Sequence, residues 1–133
     1  MGVVREPETM SLPRGSHANT FGGNPVAAAA ALATLEVIEE EDLLRHAESL
    51  GEELKKVFRE ELGEGYDVRG LGLMIGVEML KKSDLEGVLT RAFKRGVAVI
   101  GAGFSTIRIA PPLVIPREMA LKAASIIIDV VKS

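Results

Sequence analysis

Val68-Arg69-Gly70-Leu71-Gly72-Leu73-Met74-Ile75-Gly76-Val77-Glu78 is the stretch where the period of the sequence changes. Before it, apolar residues recur at helical spacing. Within it, they form short runs broken by glycine. Tyr66 to Leu71 reads as a short strand or extended lead-in, and Leu73 to Leu80 as a strand. Glycine weakens a strand interior, so Gly70, Gly72 and Gly76 predict a bulge or a close backbone approach. No helix follows these glycines, which excludes the dinucleotide-binding fingerprint. Arg69 is expected to meet an acidic partner, Glu78 to be an exposed strand residue, and the segment as a whole to be structural.

Upstream, two helices are expected. Asn24-Pro25 is a helix start: Asn caps free backbone donors, and Pro is preset for the first turn. This helix runs from Pro25 to about Glu39 and is rich in alanine from Ala27 to Ala33. Alanine favours helix and lets another element approach closely. Small apolar surface on nearly every side predicts a helix covered by further protein. Glu39 to Asp42 separates it from an amphipathic helix over Leu43 to Glu61. Leu43, Leu44, Ala47, Leu50, Leu54, Val57, Phe58 and Leu62 recur at helical spacing and are expected on its packed side. Gly63 and Gly65 end it.

Downstream, Leu85 to Arg95 reads as a helix closed by Gly96. Val97 to Ile100 is a short strand, Gly101-Ala102-Gly103 a turn, and Thr106 to Ala110 a strand stopped by Pro111-Pro112. Pro116 to Val131 is the last helix, burying Met119 or Ala120 and Ala123 or Ala124. Short strands, tight turns and sheet-covering helices give an α+β class: a short antiparallel sheet covered by helices. Residues 1–23 carry no sustained periodicity and read as an extended lead-in.

With 133 residues, 47% hydrophobic and 26% charged, the chain can bury a core and is not of a disordered composition. Net charge is -3 and the basic residues are scattered, so a nucleic-acid partner is not expected. The Lys81-Lys82 pair reads as solvated surface. There is no cysteine, which excludes disulfides, thiolate metal sites and Cys nucleophiles. His17 and His46 have no metal-ligand spacing. No signal-peptide pattern or membrane span is read, and a cytoplasmic location is expected.

Two features carry candidate chemistry. Gly15-Ser16-His17-Ala18-Asn19-Thr20-Phe21-Gly22-Gly23-Asn24-Pro25 combines hydroxyls, glycines and a helix start. It suits an anion cradle, because glycines allow close approach and a helix N-terminus favours negative charge. By composition alone, a Gly-rich turn before a capped helix is the better account of it. Arg108 sits in Ile107-Arg108-Ile109-Ala110-Pro111-Pro112-Leu113. A planar guanidinium binds a carboxylate through two hydrogen bonds. Strand alternation also permits Arg108 simply to face solvent.

Taken in order, three segments resemble the class III pyridoxal-phosphate-dependent aminotransferases of the 4-aminobutyrate, ornithine and acetylornithine type. His17 to Pro25 followed by the Ala-rich helix is similar to that family's phosphate loop. Val68 to Gly76 resembles the strand opening its small domain. Arg108 to Leu113 resembles its carboxylate-binding arginine and the loop after it. The resemblance implies that residues 24–133 are the C-terminal domain of such an enzyme, with the phosphate-loop remnant in residues 1–23. It implies that Thr20 and Phe21 bind the cofactor phosphate, Thr20 reaching the neighbouring subunit's site across a dimer interface. It implies that Arg108 holds the substrate carboxylate and that no metal is used.

In the family, the Schiff-base lysine and the aspartate that pairs with the cofactor ring lie upstream of the phosphate loop. None of Lys55, Lys56, Lys81, Lys82, Lys94, Lys122 and Lys132 sits in that lysine's context. No catalytic residue is therefore assigned. The chain alone is expected to be inactive and to bind no cofactor, partnered by itself or by a missing large domain. The alternative is a non-catalytic dimerisation or interaction module, motivated by the Ala-rich helix.

Overall fold

The computed structural model describes residue 13, residues 15–16, residues 19–79 and residues 85–133. His17, Ala18, Leu80 and the Lys81-Lys82 pair lie outside these. The chain divides into two compact units, Met1–Glu41 and Asp42–Ser133.

The first unit holds α1 (Pro25–Glu40). The Asn24 side chain accepts a hydrogen bond from the Ala27 N–H at 2.9 Å, and Pro25 occupies the first turn. The cap therefore works as the dipeptide predicts. No residue of α1 is buried; Val26, Leu32 and Leu35 are all exposed.

The second unit runs α2 (Leu43–Leu62), β1 (Tyr66–Leu71), β2 (Met74–Met79), α3 (Leu85–Lys94), β3 (Ile100–Ala102), β4 (Thr106–Ile109) and α4 (Arg117–Lys132), with one 3-10 turn at Gly63–Gly65. The strands form one antiparallel sheet in the order β1-β2-β4-β3. The α+β class read from the sequence is the class observed.

Strand alternation sorts the sheet into two faces. Val68, Ile75, Val77, Met79, Ile107 and Ile109 are buried on one of them. The helices supply Leu50, Leu54 and Phe58 from α2, Val88 and Ala92 from α3, and Ala120, Ala124 and Ile127 from α4 to the same core. Small residues are the ones buried at the start of α4: Ala120 and Ala124 go inward while Met119 stays 60% exposed. Alternate strand residues, including Arg69, Met74 and Arg108, face away from the helices and are exposed.

β1 and β2 meet in a two-residue turn, with Leu71 opposite Met74. Gly72 takes φ +52 and Leu73 does not take a positive φ, the pattern of a hairpin turn with glycine at its first central position. α2 lies hard against this turn. A methyl at Gly51 would overlap the Gly72 carbonyl and come within 3.0 Å of its Cα. Further along α2, Lys55 is buried and its Nζ donates to Gly70 O at 2.9 Å and to Glu52 Oε1 at 2.6 Å. One turn on, Arg59 donates to Val68 O at 2.9 Å.

β3 departs from the expected strand at Val97 to Ile100 and turn at Gly101 to Gly103. The strand is Ile100–Ala102, and the turn follows it. Two forces move it. Val97 N–H bonds Ala92 O at 3.0 Å and Gly96 N–H bonds Phe93 O at 2.9 Å, so Val97 is spent closing α3 in a Schellman motif. Gly101 is a strand residue because α3 crosses it closely: a Cβ there would sit 3.1 Å from Leu85.

Among the described residues, no helix is long and apolar enough to cross a membrane. None of their His, Asp and Glu side chains cluster to hold a metal ion.

Two outcomes follow for stability. Gly51→Ala gains roughly 1 kcal/mol of helix propensity. It also drives a methyl into backbone, at an overpacking cost of about 3 kcal/mol. The net effect in denaturant unfolding is a loss of about 2 kcal/mol; a stabilised Gly51→Ala would refute this contact. The second outcome concerns acid. The Lys55 hydrogen bond holds the Glu52 carboxyl below its ordinary range, and Arg117 does the same for Glu53. A depressed carboxyl contributes stability above its unfolded pKa and loses it as pH falls through the folded value. The thermal midpoint therefore drops between about pH 5 and about pH 3, and Lys55→Met removes part of that drop. An unchanged acid limb in Lys55→Met would count against the pairing.

Candidate functional site

The face of the sheet turned away from the helices is where polar side chains collect. Antiparallel register sets them in rows. Arg69 lies opposite Gly76, Gly76 opposite Arg108, and Arg108 opposite Ile100. The next row is Asp67, Glu78, Thr106 and Ala102. Gly76 has no side chain, so the two arginines flank an opening. That opening is a shallow cavity of about 320 Å³ lined by Arg69, Gly70, Met74, Gly76, Thr106 and Arg108.

The two guanidinium groups differ in what they hold. Arg69 Nη1 pairs with Glu78 Oε2 at 2.7 Å and also bonds Asp67. Glu78, and then Asp67, hold the Arg69 guanidinium above its ordinary pKa. The Ser105 hydroxyl donates to the other Glu78 oxygen at 3.4 Å. The Arg108 guanidinium has no hydrogen bond or ion pair among the described residues. Among the described residues, this face therefore offers an anion one committed guanidinium and one without a partner.

Thr20 and Phe21 belong to the first unit, in a turn spanning Thr20 to Gly23 just before α1. Asn19 organises this turn: its side-chain oxygen accepts from Phe21 N–H at 3.0 Å, and its carbonyl accepts from Gly22 N–H at 3.2 Å. Asn24 Nδ2 donates to Phe21 O at 2.8 Å. Thr20 is exposed, its hydroxyl has no partner among the described residues, and the first turn of α1 carries no acid. These groups fit an anion. A hydroxyl and a helix N-terminus are available as donors, and the first turn of α1 has no carboxylate to repel an anion. The Phe21 ring is 81% exposed.

Arg108 therefore stands on an open face, and the structure sets beside it a residue read from the sequence as structural only. Arg69 lines the same cavity, and the acids it meets are Glu78, expected only as an exposed strand residue, and Asp67. The signal was within reach: once the turn is placed at Gly72-Leu73, counting outward pairs 69 with 76 and 67 with 78. His46, read as surface or boundary, is partly buried, and its Nε2 lies 3.0 Å from Ile115 O. That contact ties α2 to the segment before α4.

The class-III aminotransferase family model matches residues 2–131. The alanine/serine racemase of Pyrococcus horikoshii is 43% identical over 98% of this chain and 30% of its own length. The acetylornithine aminotransferase of Methanosarcina mazei is 41% identical over 89% of this chain and 30% of its own length. Among solved structures, the ornithine aminotransferase of Toxoplasma gondii, with PLP partially occupying its active site, superposes with a TM-score of 0.78. It is 33% identical, covering 89% of this chain and 29% of that one. The chain thus spans less than a third of the length of these relatives. A match over almost every residue, on a fold with the same strands and helices, has one reading: this chain belongs to the class-III aminotransferase family.

Proposed function

We propose that this chain is the C-terminal, carboxylate-holding part of a pyridoxal-phosphate-dependent aminotransferase. Such an enzyme moves an amino group between an amino acid or ω-amino acid and a 2-oxo acid. The observation that carries the reading is Arg108, without a partner among the described residues, on a sheet face that the helices of its unit leave uncovered. Its guanidinium takes a substrate carboxylate through two parallel hydrogen bonds and so fixes the orientation of the adjacent carbon. The cofactor supplies the electron sink for chemistry at that carbon. Thr20 and the backbone at the start of α1 hold its phosphate, Thr20 acting in the neighbouring subunit's site.

The lysine that bonds the cofactor belongs to polypeptide beyond these residues. Lys55 is buried on the helix side of the sheet and hydrogen-bonded there. Lys56, Lys94, Lys122 and Lys132 are exposed on helices. On this reading the chain alone does not transaminate. The partner is a second copy or the large domain, in the cytoplasm. Leu71 at 88% exposure and Met74 at 67% extend the arginine face as apolar surface for it to cover.

A second reading rests on the racemase relative, 43% identical over 98% of the chain. A racemase of this family would use the same carboxylate anchor and return the proton to the opposite face of the carbon, leaving the amino group in place.

The test is a chimera in which these residues replace the matching segment of the Methanosarcina mazei enzyme. Arg108→Gln is expected to raise the KM for the amino acid roughly 100-fold, the worth of one charge-assisted pair. The cofactor absorbance stays unchanged. An unaltered KM, or transamination by the isolated chain with added cofactor, would overturn the proposal. Activity only in the corresponding racemase chimera, with inversion and no 2-oxo acid formed, would select the second reading. The exposed apolar side chains of α1 lead to a further outcome: the chain self-associates at micromolar concentration by light scattering, and Leu32→Glu with Leu35→Glu weakens this. A strictly monomeric wild type would sink the self-association.

A further inference from the structure

Met74 stands between two cavities of different chemistry. On one side is the shallow opening of about 320 Å³ that it lines with Arg69 and Arg108. On the other is an apolar groove of about 440 Å³, which it lines with Leu44, Leu71, Leu73 and Leu113. Met74 lies on β2 two residues before Gly76, and Gly76 is opposite Arg108. It is therefore diagonal to Arg108 across the β2–β4 pair, a separation that long side chains bridge. Gly76 carries no side chain to stand beside that path. A methionine side chain turns about several bonds, so both cavities are within its reach without movement of the backbone. The reduced thioether is apolar and belongs with the leucines. A sulfoxide is a polar acceptor. It costs free energy among apolar side chains and gains a charge-assisted hydrogen bond from a guanidinium. Arg69 is already held by Glu78 and Asp67, whereas Arg108 has no partner among the described residues.

We infer that Met74 is an oxidation site whose sulfoxide closes the Arg108 carboxylate site. The oxidant is hydrogen peroxide. A sulfur lone pair takes one peroxide oxygen and the O–O bond breaks. The proton of the transferred oxygen passes to the departing hydroxide, which leaves as water; sulfur is oxidised and the peroxide reduced. The new oxygen then accepts from the Arg108 guanidinium and excludes a ligand carboxylate. Peroxide is smaller than an amino acid and enters by the same opening. Met74 is exposed to it, whereas Met79 is buried in the core. Met119 is also exposed, but it stands on α4 and lines neither cavity. The switch rests on Arg108 being the carboxylate anchor and adds how that anchor is turned off.

The experiment uses the 133-residue chain, 15N-labelled, before and after mild peroxide treatment, with propionate as the probe. Peptide mass mapping is expected to show one added oxygen on Met74 and on Met119 before Met79. The Arg108 Nε–H signal, identified by its loss in Arg108→Gln, moves on oxidation with no anion present. Propionate then binds about tenfold more weakly than to the reduced chain, and methionine sulfoxide reductase with a dithiol restores the affinity. Met119→Leu keeps the whole response. Met74→Leu, whatever its own affinity, no longer responds to peroxide. Met74→Gln carries a side-chain carbonyl as acceptor, so it binds propionate about tenfold more weakly than Met74→Leu with no oxidant added. A merely structural role for Met74 would not separate these two variants. An oxidised chain that keeps its affinity within about twofold, or a loss that persists in Met74→Leu, would overturn the switch and leave the anchor standing. A reduced chain in which propionate leaves Arg108 unmoved would overturn the anchor, and the switch with it.

Discussion

The contact between Gly51 and Gly72 sets the geometry on which the second unit is built. It lets helix backbone touch hairpin backbone without an intervening side chain. At that distance α2 places Leu50, Leu54 and Phe58 over the sheet, and Phe58 is fully buried. Burial of such a side chain is worth roughly 2–3 kcal/mol. Lys55 then reaches Gly70 from the same helix. The hairpin is thereby held from one side only, which leaves its other side for polar residues.

That division of the sheet is what makes a binding face possible. With period-two alternation, every core residue of β2 and β4 forces its neighbour outward. Ile107 and Ile109 are buried, so Arg108 is presented. Ile75 and Val77 are buried, so Gly76 lies beneath the opening between the arginines. A larger residue at Gly76 would meet the Thr106 methyl at 3.3 Å and narrow that opening. The outward-facing arginine and the core packing are two readings of the same strands.

Features encoded by neighbouring residues were legible in the sequence. Asn24-Pro25 starts α1, Gly63 ends α2, and the apolar spacing of α2 matches its buried face except at Leu44, which is exposed, because each is set within a turn or two of chain. β1 and the class of the fold were legible for the same reason. What depends on distant partners was not. Gly101 looks like a turn residue until α3 crosses it, and Val97 looks like strand until it closes the helix before it. Arg69 resembles an ordinary strand arginine until the hairpin folds Glu78 beside it. Arg108 was visible as a residue, but its lack of a counter-ion among the described residues belongs to the folded sheet alone.

The hydrogen bonds from Lys55 to Gly70 and from Arg59 to Val68 have a consequence outside the unit's own packing. Residues two apart on a strand point their carbonyls the same way, and β1 is the outermost strand of its sheet. Opposite β2, Val68 and Gly70 alternate with the pairs that bond across the hairpin, so these carbonyls point to the free edge. An unblocked edge would invite a strand from another molecule to add on. Two basic side chains one helical turn apart occupy those acceptors instead. The other border is β3, a strand of only three residues and a poor template for growth. Both margins of the sheet are thus guarded against runaway assembly, even while its open face stays free to receive a ligand.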